Sequence, residues 1–162
     1  MRHTTHILFG TLFAIPIVSY LSLDPAKASF IIFTALIGSL LPDVDHPKSY
    51  INRKSWGIFY RVVLQSTHRG WMHSLFGAFI FTLISTLVFF YLCWDMLYSM
   101  VFLFGYLSHL LADSLNPTGV NWLWPKKKKY KIAIIKTGSK GEVIFQAFLV
   151  ILLALMLTEL PK

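Results

Sequence analysis

The chain has 162 residues, of which 56% are hydrophobic and 14% are charged, and its formal net charge at pH 7 is +8. About a quarter of the residues of a typical soluble domain are charged, so this composition excludes an ordinary water-soluble enzyme. We therefore predict an integral membrane protein in which residues 1–162 form a single domain.

Five apolar segments follow one another along the chain, at about residues 7–23, 28–42, 74–94, 96–113 and 143–160. Apolar runs of roughly 17–25 residues cross a bilayer as α-helices, and shorter runs can do so by recruiting flanking residues or thinning the bilayer. The predicted fold class is an all-α membrane protein, a bundle of about five transmembrane helices. Arg2 and "AKA" at 26–28 resemble parts of a secretory signal, but Pro16 and the immediate second segment favour an uncleaved anchor.

Two polar segments, 43–73 and 114–142, are predicted to be cytoplasmic loops. They and the N-terminus contain every lysine and arginine except Lys27 and Lys162. Because basic residues stay on the cytoplasmic side, the N-terminus is predicted to be cytoplasmic and the C-terminus to lie outside the plasma membrane. In the second loop, "GVNWLWP" and "YKIAII" flank a turn and predict a possible short β-hairpin.

Histidines and acidic residues concentrate at the predicted cytoplasmic ends of the apolar segments. Imidazole nitrogens and carboxylate oxygens together suit Zn²⁺, Mn²⁺ or Fe²⁺. We therefore predict a divalent-metal site, best suited to Zn²⁺. Its candidate ligands are His6, Asp43, Asp45, His46, His68, His73, His109 and Asp113.

Several of these motifs also have a purely structural interpretation. The aspartates of "PDVDHP" can be solvated loop residues, His6 can be an interfacial anchor, and "THRGWMHS" can be a basic interfacial loop. The pair His109 and Asp113 is different, because these residues lie four apart on one face of a membrane helix, where unpartnered polar groups are costly. Their clustering with the other candidates at one membrane face favours the metal hypothesis.

A metal site at headgroup depth favours a lipid headgroup or another membrane-associated phosphoester as the substrate, and a metal ion could promote its hydrolysis. A bound ion lowers the pKa of its water and polarises the oxygen of the group attacked. Two candidate catalytic residues complete the prediction: Arg69 can clamp phosphate with paired donors, and Glu142 can act as a general acid or base. The predicted partners are membrane lipids and a small-molecule or lipid substrate, and the sequence does not define the oligomeric state.

The lysine run "PKKKKYK" at 125–131 is typical of anchoring on the cytoplasmic side. A second interpretation is that these lysines gather an anionic substrate near the site. Nucleic-acid binding is not expected, since the membrane topology already accounts for the basic residues. The single Cys93 and the lack of GxSxG, HExxH or paired CxxC motifs leave thiol, serine-hydrolase and zincin chemistry unsupported.

The order of several motifs along nearly the whole chain resembles the YdjM-like family of inner-membrane, metal-dependent hydrolases. These motifs are "THILFG", "GSLLPDVDHP", "HRGWMHS", "GYLSHLLADSLNPTG" with "LWP" after it, and "GSKGE". The resemblance implies a multi-pass inner-membrane protein with hydrolase activity. Regulation of some bacterial members by LexA implies induction by DNA damage, as part of an SOS response.

Two alternatives from other classes remain open at the level of sequence. A metal or ion transporter should carry ionisable groups near the bilayer midplane, yet the interiors of the third and fifth segments contain only hydroxyls and the amide of Gln146. A non-catalytic membrane regulator, whose metal site only joins helix ends, would use the same ligand types as an enzyme.

Overall fold

The computed structural model describes residues 1–45, 70–132 and 134–158. The described residues form five α-helices: α1 His3–Tyr20, α2 Pro25–Leu40, α3 Leu75–Tyr91, α4 Leu97–Ser114 and α5 Lys140–Thr158. Two short 3-10 helices, Leu41–Asp45 and Trp71–His73, continue α2 and precede α3. Each α-helix overlaps one predicted apolar segment with small shifts at its ends, so the prediction of an all-helical fold is confirmed.

Two helical segments in the described part of the chain are long and apolar enough to cross a membrane. They are Pro25–Val44, with 20 residues, and Lys140–Thr158, with 19 residues, and α3 is apolar but shorter. These two segments make a membrane protein plausible. The five spans remain a prediction.

The start of α2 is set by local sequence. The Asp24 carboxylate accepts hydrogen bonds from the backbone N–H groups of Ala26 and Lys27, each at 3.1 Å, and Pro25 occupies the first helical position. These contacts satisfy donors that a helix start otherwise leaves open. The hydrogen bond from Lys27 is the main cause of the lowered pKa of Asp24.

The centre of the bundle is formed by α1, α2 and α4, while α3 packs on α4 and α5 packs on α1. The α2–α4 contact brings the two backbones together at two glycines. A Cβ on Gly38 would lie 2.2 Å from the Phe102 carbonyl oxygen, and one on Gly105 would lie 2.1 Å from the Ala35 carbonyl oxygen. Only glycine allows this approach, which is the usual role of small residues between membrane helices.

The predicted hairpin after α4 is reduced to one antiparallel bridge. Val120 and Tyr130 exchange backbone hydrogen bonds of 2.9 and 2.8 Å, and no strand extends from this pair in the described residues. The residues between them, 121–129, are called the lysine turn below. The chain after the bridge is joined to the end of α4, because the Ile132 N–H donates to the Ser114 carbonyl at 2.8 Å.

Candidate metal centre

Five side chains that can ligate a metal meet at one end of the bundle. His6 comes from the start of α1, Asp43 from the 3-10 helix after α2, His73 from the 3-10 helix before α3, and His109 and Asp113 from the last turns of α4. Successive helices run in opposite directions, so the starts of α1 and α3 lie beside the ends of α2 and α4. This arrangement explains why residues so distant in sequence come together.

The polar atoms of these side chains are separated by distances slightly longer than hydrogen bonds. His109 Nε2 lies 3.4 Å from His73 Nε2 and 3.8 Å from Asp43 Oδ1. His6 Nε2 lies 3.5 Å from Asp113 Oδ1 and 4.0 Å from Asp43 Oδ2. His73 Nε2 lies 3.7 Å from Asp43 Oδ1 and 3.9 Å from Asp113 Oδ2. The donor atoms therefore surround a common space.

These separations fit metal coordination better than direct pairing. Zinc binds imidazole nitrogen at about 2.0–2.1 Å, so two ligand atoms at the tetrahedral angle are about 3.3 Å apart. The shortest separations, 3.4 and 3.5 Å, are close to that value, and the others, at 3.7–4.0 Å, would have to shorten on metal binding. In two groups all three ligand atoms lie within 4.8 Å of one another, His6 with His109 and Asp113, and Asp43 with His73 and His109.

The orientation of His109 is fixed by the end of α2. His109 Nδ1 lies 2.7 Å from the carbonyl oxygen of Ser39, and its ring stacks on that of His6 with centroids 3.8 Å apart. A carbonyl can only accept, so Nδ1 carries the proton and Nε2 keeps its lone pair. This is the tautomer in which a histidine binds metal through Nε2, with the second nitrogen held by a backbone acceptor.

The buried imidazole of His6 also fits a metal ligand. Neither of its ring nitrogens has a hydrogen-bond partner among the described residues, although the residue is completely buried. A buried polar atom without a partner costs about 1–3 kcal/mol, and coordination of a cation would remove that cost. The chemistry of the donor set thus agrees with the divalent ion predicted from the sequence.

One of the five side chains of the centre is partly exposed. The side chains of His6, His73 and His109 are fully buried and that of Asp113 is 2% exposed, whereas that of Asp43 is 24% exposed. Asp43 is therefore the most exposed of the five candidate ligands.

Tyr106 helps to position His73 by holding the neighbouring backbone. Its buried hydroxyl donates a hydrogen bond to the backbone carbonyl of Met72, the residue before His73. Sequence reasoning did not find this tyrosine. Its place three residues before His109, on the same face of α4, was the signal available.

We expect Tyr106→Phe to weaken metal binding by about tenfold, the low end of the effect of removing groups that orient metal ligands. Loss of the hydroxyl leaves the Met72 carbonyl without that donor and frees the 3-10 helix that contains His73. Metal affinity measured by competition with a chromophoric chelator checks this. Tyr98→Phe, at the opposite end of α4, is the matched control, and equal affinities in the two variants would contradict the positioning role.

Glu142 joins α5 to the start of α1. Its carboxylate accepts hydrogen bonds from the Arg2 N–H at 2.7 Å, the Thr5 hydroxyl at 3.0 Å and the Gly138 N–H at 2.6 Å. The amide of Gln146, one turn further along α5, donates to the same Thr5 hydroxyl at 2.8 Å. These contacts show a structural connection for Glu142, and its predicted role as acid or base stays a prediction.

The structure brings together the candidate ligands His6, Asp43, His73, His109 and Asp113. His46, His68 and Arg69 lie outside the described residues, and so does the side chain of Asp45. Their predicted roles stay predictions. The amino group of Met1 contacts the Asp113 carboxylate, which places a positive charge beside this ligand.

Taken together, the fold and the centre define an all-helical protein with candidate membrane helices and buried histidine and aspartate groups that could bind a metal ion. The family described as YdjM inner membrane protein matches residues 1–160, and the chain belongs to this family. The resemblance noted from the sequence motifs is confirmed, and membrane localisation is supported by it.

Two kinds of curated relative illustrate the range of similarity. The chain is 37% identical over 142 residues to the inner membrane protein YdjM of Escherichia coli strain K12. The alignment covers 80% of this chain and 68% of that relative. The Shigella flexneri protein of the same name gives the same values. It is 30% identical over 150 residues to the uncharacterized protein YvsG of Bacillus subtilis strain 168, covering 91% of this chain and 88% of the relative. No solved structure matches the chain.

Proposed function

We propose that this protein is a membrane-embedded, metal-dependent hydrolase that acts on a phosphoester at the cytoplasmic membrane face. The observation that carries the proposal is the convergence of three buried imidazoles and two carboxylates on one space, with donor separations of 3.4–4.0 Å. His6, Asp43, His73, His109 and Asp113 would hold one or two divalent ions. Zn²⁺ is the ion that best suits this donor set, with Mn²⁺ and Fe²⁺ as alternatives.

The residues of the chain divide the work at such a centre. A bound divalent ion would supply a water of lowered pKa and polarise the phosphoryl oxygen. The buried histidines keep bulk water away from their ligand atoms, and the Ser39 carbonyl keeps His109 in the tautomer that binds metal. The partly exposed Asp43 leaves one side for the substrate. Arg69 as a phosphate clamp and Glu142 as acid or base remain part of the hypothesis.

The membrane topology is part of the same proposal. The centre lies where the basic loops begin and end, so the positive-inside tendency puts it at the cytoplasmic face of an inner membrane with five spans. The N-terminus is then cytoplasmic and the C-terminus outside. Lipid headgroups occupy this depth, which supports a lipid phosphoester as the substrate.

The proposal is tested by hydrolysis of phosphoesters with protein purified in detergent and loaded separately with Zn²⁺ or Mn²⁺. We expect metal-dependent turnover of a chromogenic phosphodiester or of phospholipid, with a loss of at least a hundredfold in Asp43→Asn. The control is Asp95→Asn, because Asp95 lies at the opposite end of the bundle, before α4, where its carboxylate accepts from the Leu97 N–H at 2.8 Å.

The main competing function is that of a non-catalytic membrane regulator whose metal ion only joins the helix ends. One observation favours the regulator: the described residues offer enough donors to coordinate a single ion fully, which would leave no position for a substrate. Stoichiometric metal without turnover on any phosphoester of the panel would support the regulator and contradict the hydrolase.

A further inference from the structure

We propose that the groove between α3 and α4, together with the lysine turn, binds an anionic phospholipid, with an acyl chain in the groove and the headgroup beneath the lysines. This inference rests on the proposed function, because it names the substrate class of the same centre.

The groove is an apolar cleft on the surface of the bundle. It has a volume of about 380 Å³ and is lined by Leu75, Phe79, Leu83 and Thr86 of α3 and by Leu103 and Leu107 of α4. From Leu75 to Thr86 the helix rises about 16 Å. One leaflet of a ~30 Å hydrocarbon layer is about 15 Å thick, so the groove has the length of one acyl chain.

The groove begins at the metal centre. Leu75, at one end, is two residues after His73, and Leu107 is two residues before His109. An acyl chain that enters the groove from its leaflet therefore carries its headgroup phosphate to the level of the candidate ligands. The same helix ends thus supply both the groove and the ligands.

The lysine turn is attached to these two helix ends. The Trp122 carbonyl accepts a hydrogen bond from the Leu75 N–H at 2.9 Å, and the Trp124 ring lies 5.2 Å from that of Phe76. On the other side, the Trp122 indole N–H donates to the Ser114 hydroxyl at 2.8 Å. The turn is therefore held at the mouth of the groove.

The charge and the surface of the turn fit an anionic lipid. Lys126, Lys127, Lys128 and Lys129 are all exposed, and each lysine near an anionic bilayer surface is worth about 1 kcal/mol, or roughly a fivefold preference. Trp124 and Ile132, which flank them, are also exposed. Apolar side chains beside lysines favour insertion among lipids over contact with a nucleic acid or a free anion.

The experiment measures lipid binding to the delipidated full chain in a nonionic detergent by native mass spectrometry. The probes are phosphatidylglycerol and phosphatidylcholine of identical acyl chains. We expect the parent to retain phosphatidylglycerol in preference. The double variant Lys127→Gln/Lys128→Gln should lower retention of phosphatidylglycerol at least fivefold and leave phosphatidylcholine unchanged. Its control, Lys136→Gln/Lys140→Gln, removes the same charge outside the turn and should keep the preference.

A second pair of variants tests the groove. Leu83→Trp fills it and should lower retention of both lipids, whereas Leu87→Trp, at an exposed position outside the groove lining, should not. Equal retention of the two lipids by the parent would overturn the inference, and so would equal effects within either pair. Tighter binding of a fluorescent oligonucleotide than of phosphatidylglycerol, lost in the Lys127/Lys128 variant, would overturn it in favour of a nucleic-acid site.

Metal content measured on the same samples separates this inference from the proposed function. If the protein binds metal and turns over substrate but shows no lipid preference, the lipid site is contradicted and the proposed hydrolase function stands. If the protein binds no metal but its lipid preference changes in the variants as expected, the hydrolase function is contradicted and the lipid site stands.

Discussion

His109→Ala is expected to reduce bound metal from one or two ions per chain to less than a tenth of the parent value. His109 belongs to both groups of potential ligands, one with His6 and Asp113 and the other with Asp43 and His73. Its removal therefore leaves at most two donors in either group. Inductively coupled plasma mass spectrometry gives the metal content per chain. The protein is purified in detergent under metal-replete conditions.

Two further variants make this result specific. Asp113→Ala should release metal as well, because it removes a buried carboxylate from one group. Lys128→Ala should retain the parent content, because it changes an exposed side chain of the lysine turn. If all three variants hold the same amount of metal, the centre described above does not bind it.

Gly105→Ala is expected to destabilise the whole bundle and to disturb the metal centre at a distance. The added Cβ would lie 2.1 Å from the Ala35 carbonyl oxygen, which belongs to backbone and cannot rotate away. Overpacking of this kind typically costs about 1–3 kcal/mol and occasionally more. The separation of α2 from α4 would also pull the Ser39 carbonyl from His109, so both the thermal midpoint and the metal affinity should fall.

Gly141→Ala is the matched control, at the start of α5. There the new Cβ would meet only the Ser139 hydroxyl, at 3.5 Å, which is an ordinary contact. Alanine has a higher helix propensity than glycine by up to about 1 kcal/mol, so this variant should be as stable as the parent or more stable. A similar fall of the midpoint in both variants would show that the close α2–α4 contact is not the cause.

The arrangement of the candidate ligands could be predicted from the sequence because each helix runs antiparallel to the one before it. Once five apolar segments are assigned, the start of one and the end of the next must share a membrane face, and His6, Asp43, His73 and His109 all fall on that face. The His109 and Asp113 pair needed only the spacing of an α-helix. The membrane assignment depends on overall composition more than on segment length, since two of the five helices in the described part of the chain are long and apolar enough to cross a membrane.

The parts that sequence could not supply depend on tertiary contacts. The acceptor for His109 is a backbone carbonyl, which leaves no mark in the identity of Ser39. Glu142 was chosen as a catalytic acid or base because it lies near the predicted face, but its hydrogen bonds to Arg2, Thr5 and Gly138 depend on how α5 packs on α1. The possible hairpin is reduced to one bridge, because two segments that flank a turn do not by themselves tell a strand pair from a single bridge.

The distribution of the ligands along the chain has a consequence for biogenesis. His6 on α1 precedes His109 and Asp113 on α4 by more than a hundred residues, so the centre cannot be complete until α4 has been synthesised. The five donor atoms can therefore come together only after α4 packs against α1 and α2. If the centre binds an ion as proposed, the bound ion would report that the bundle had assembled.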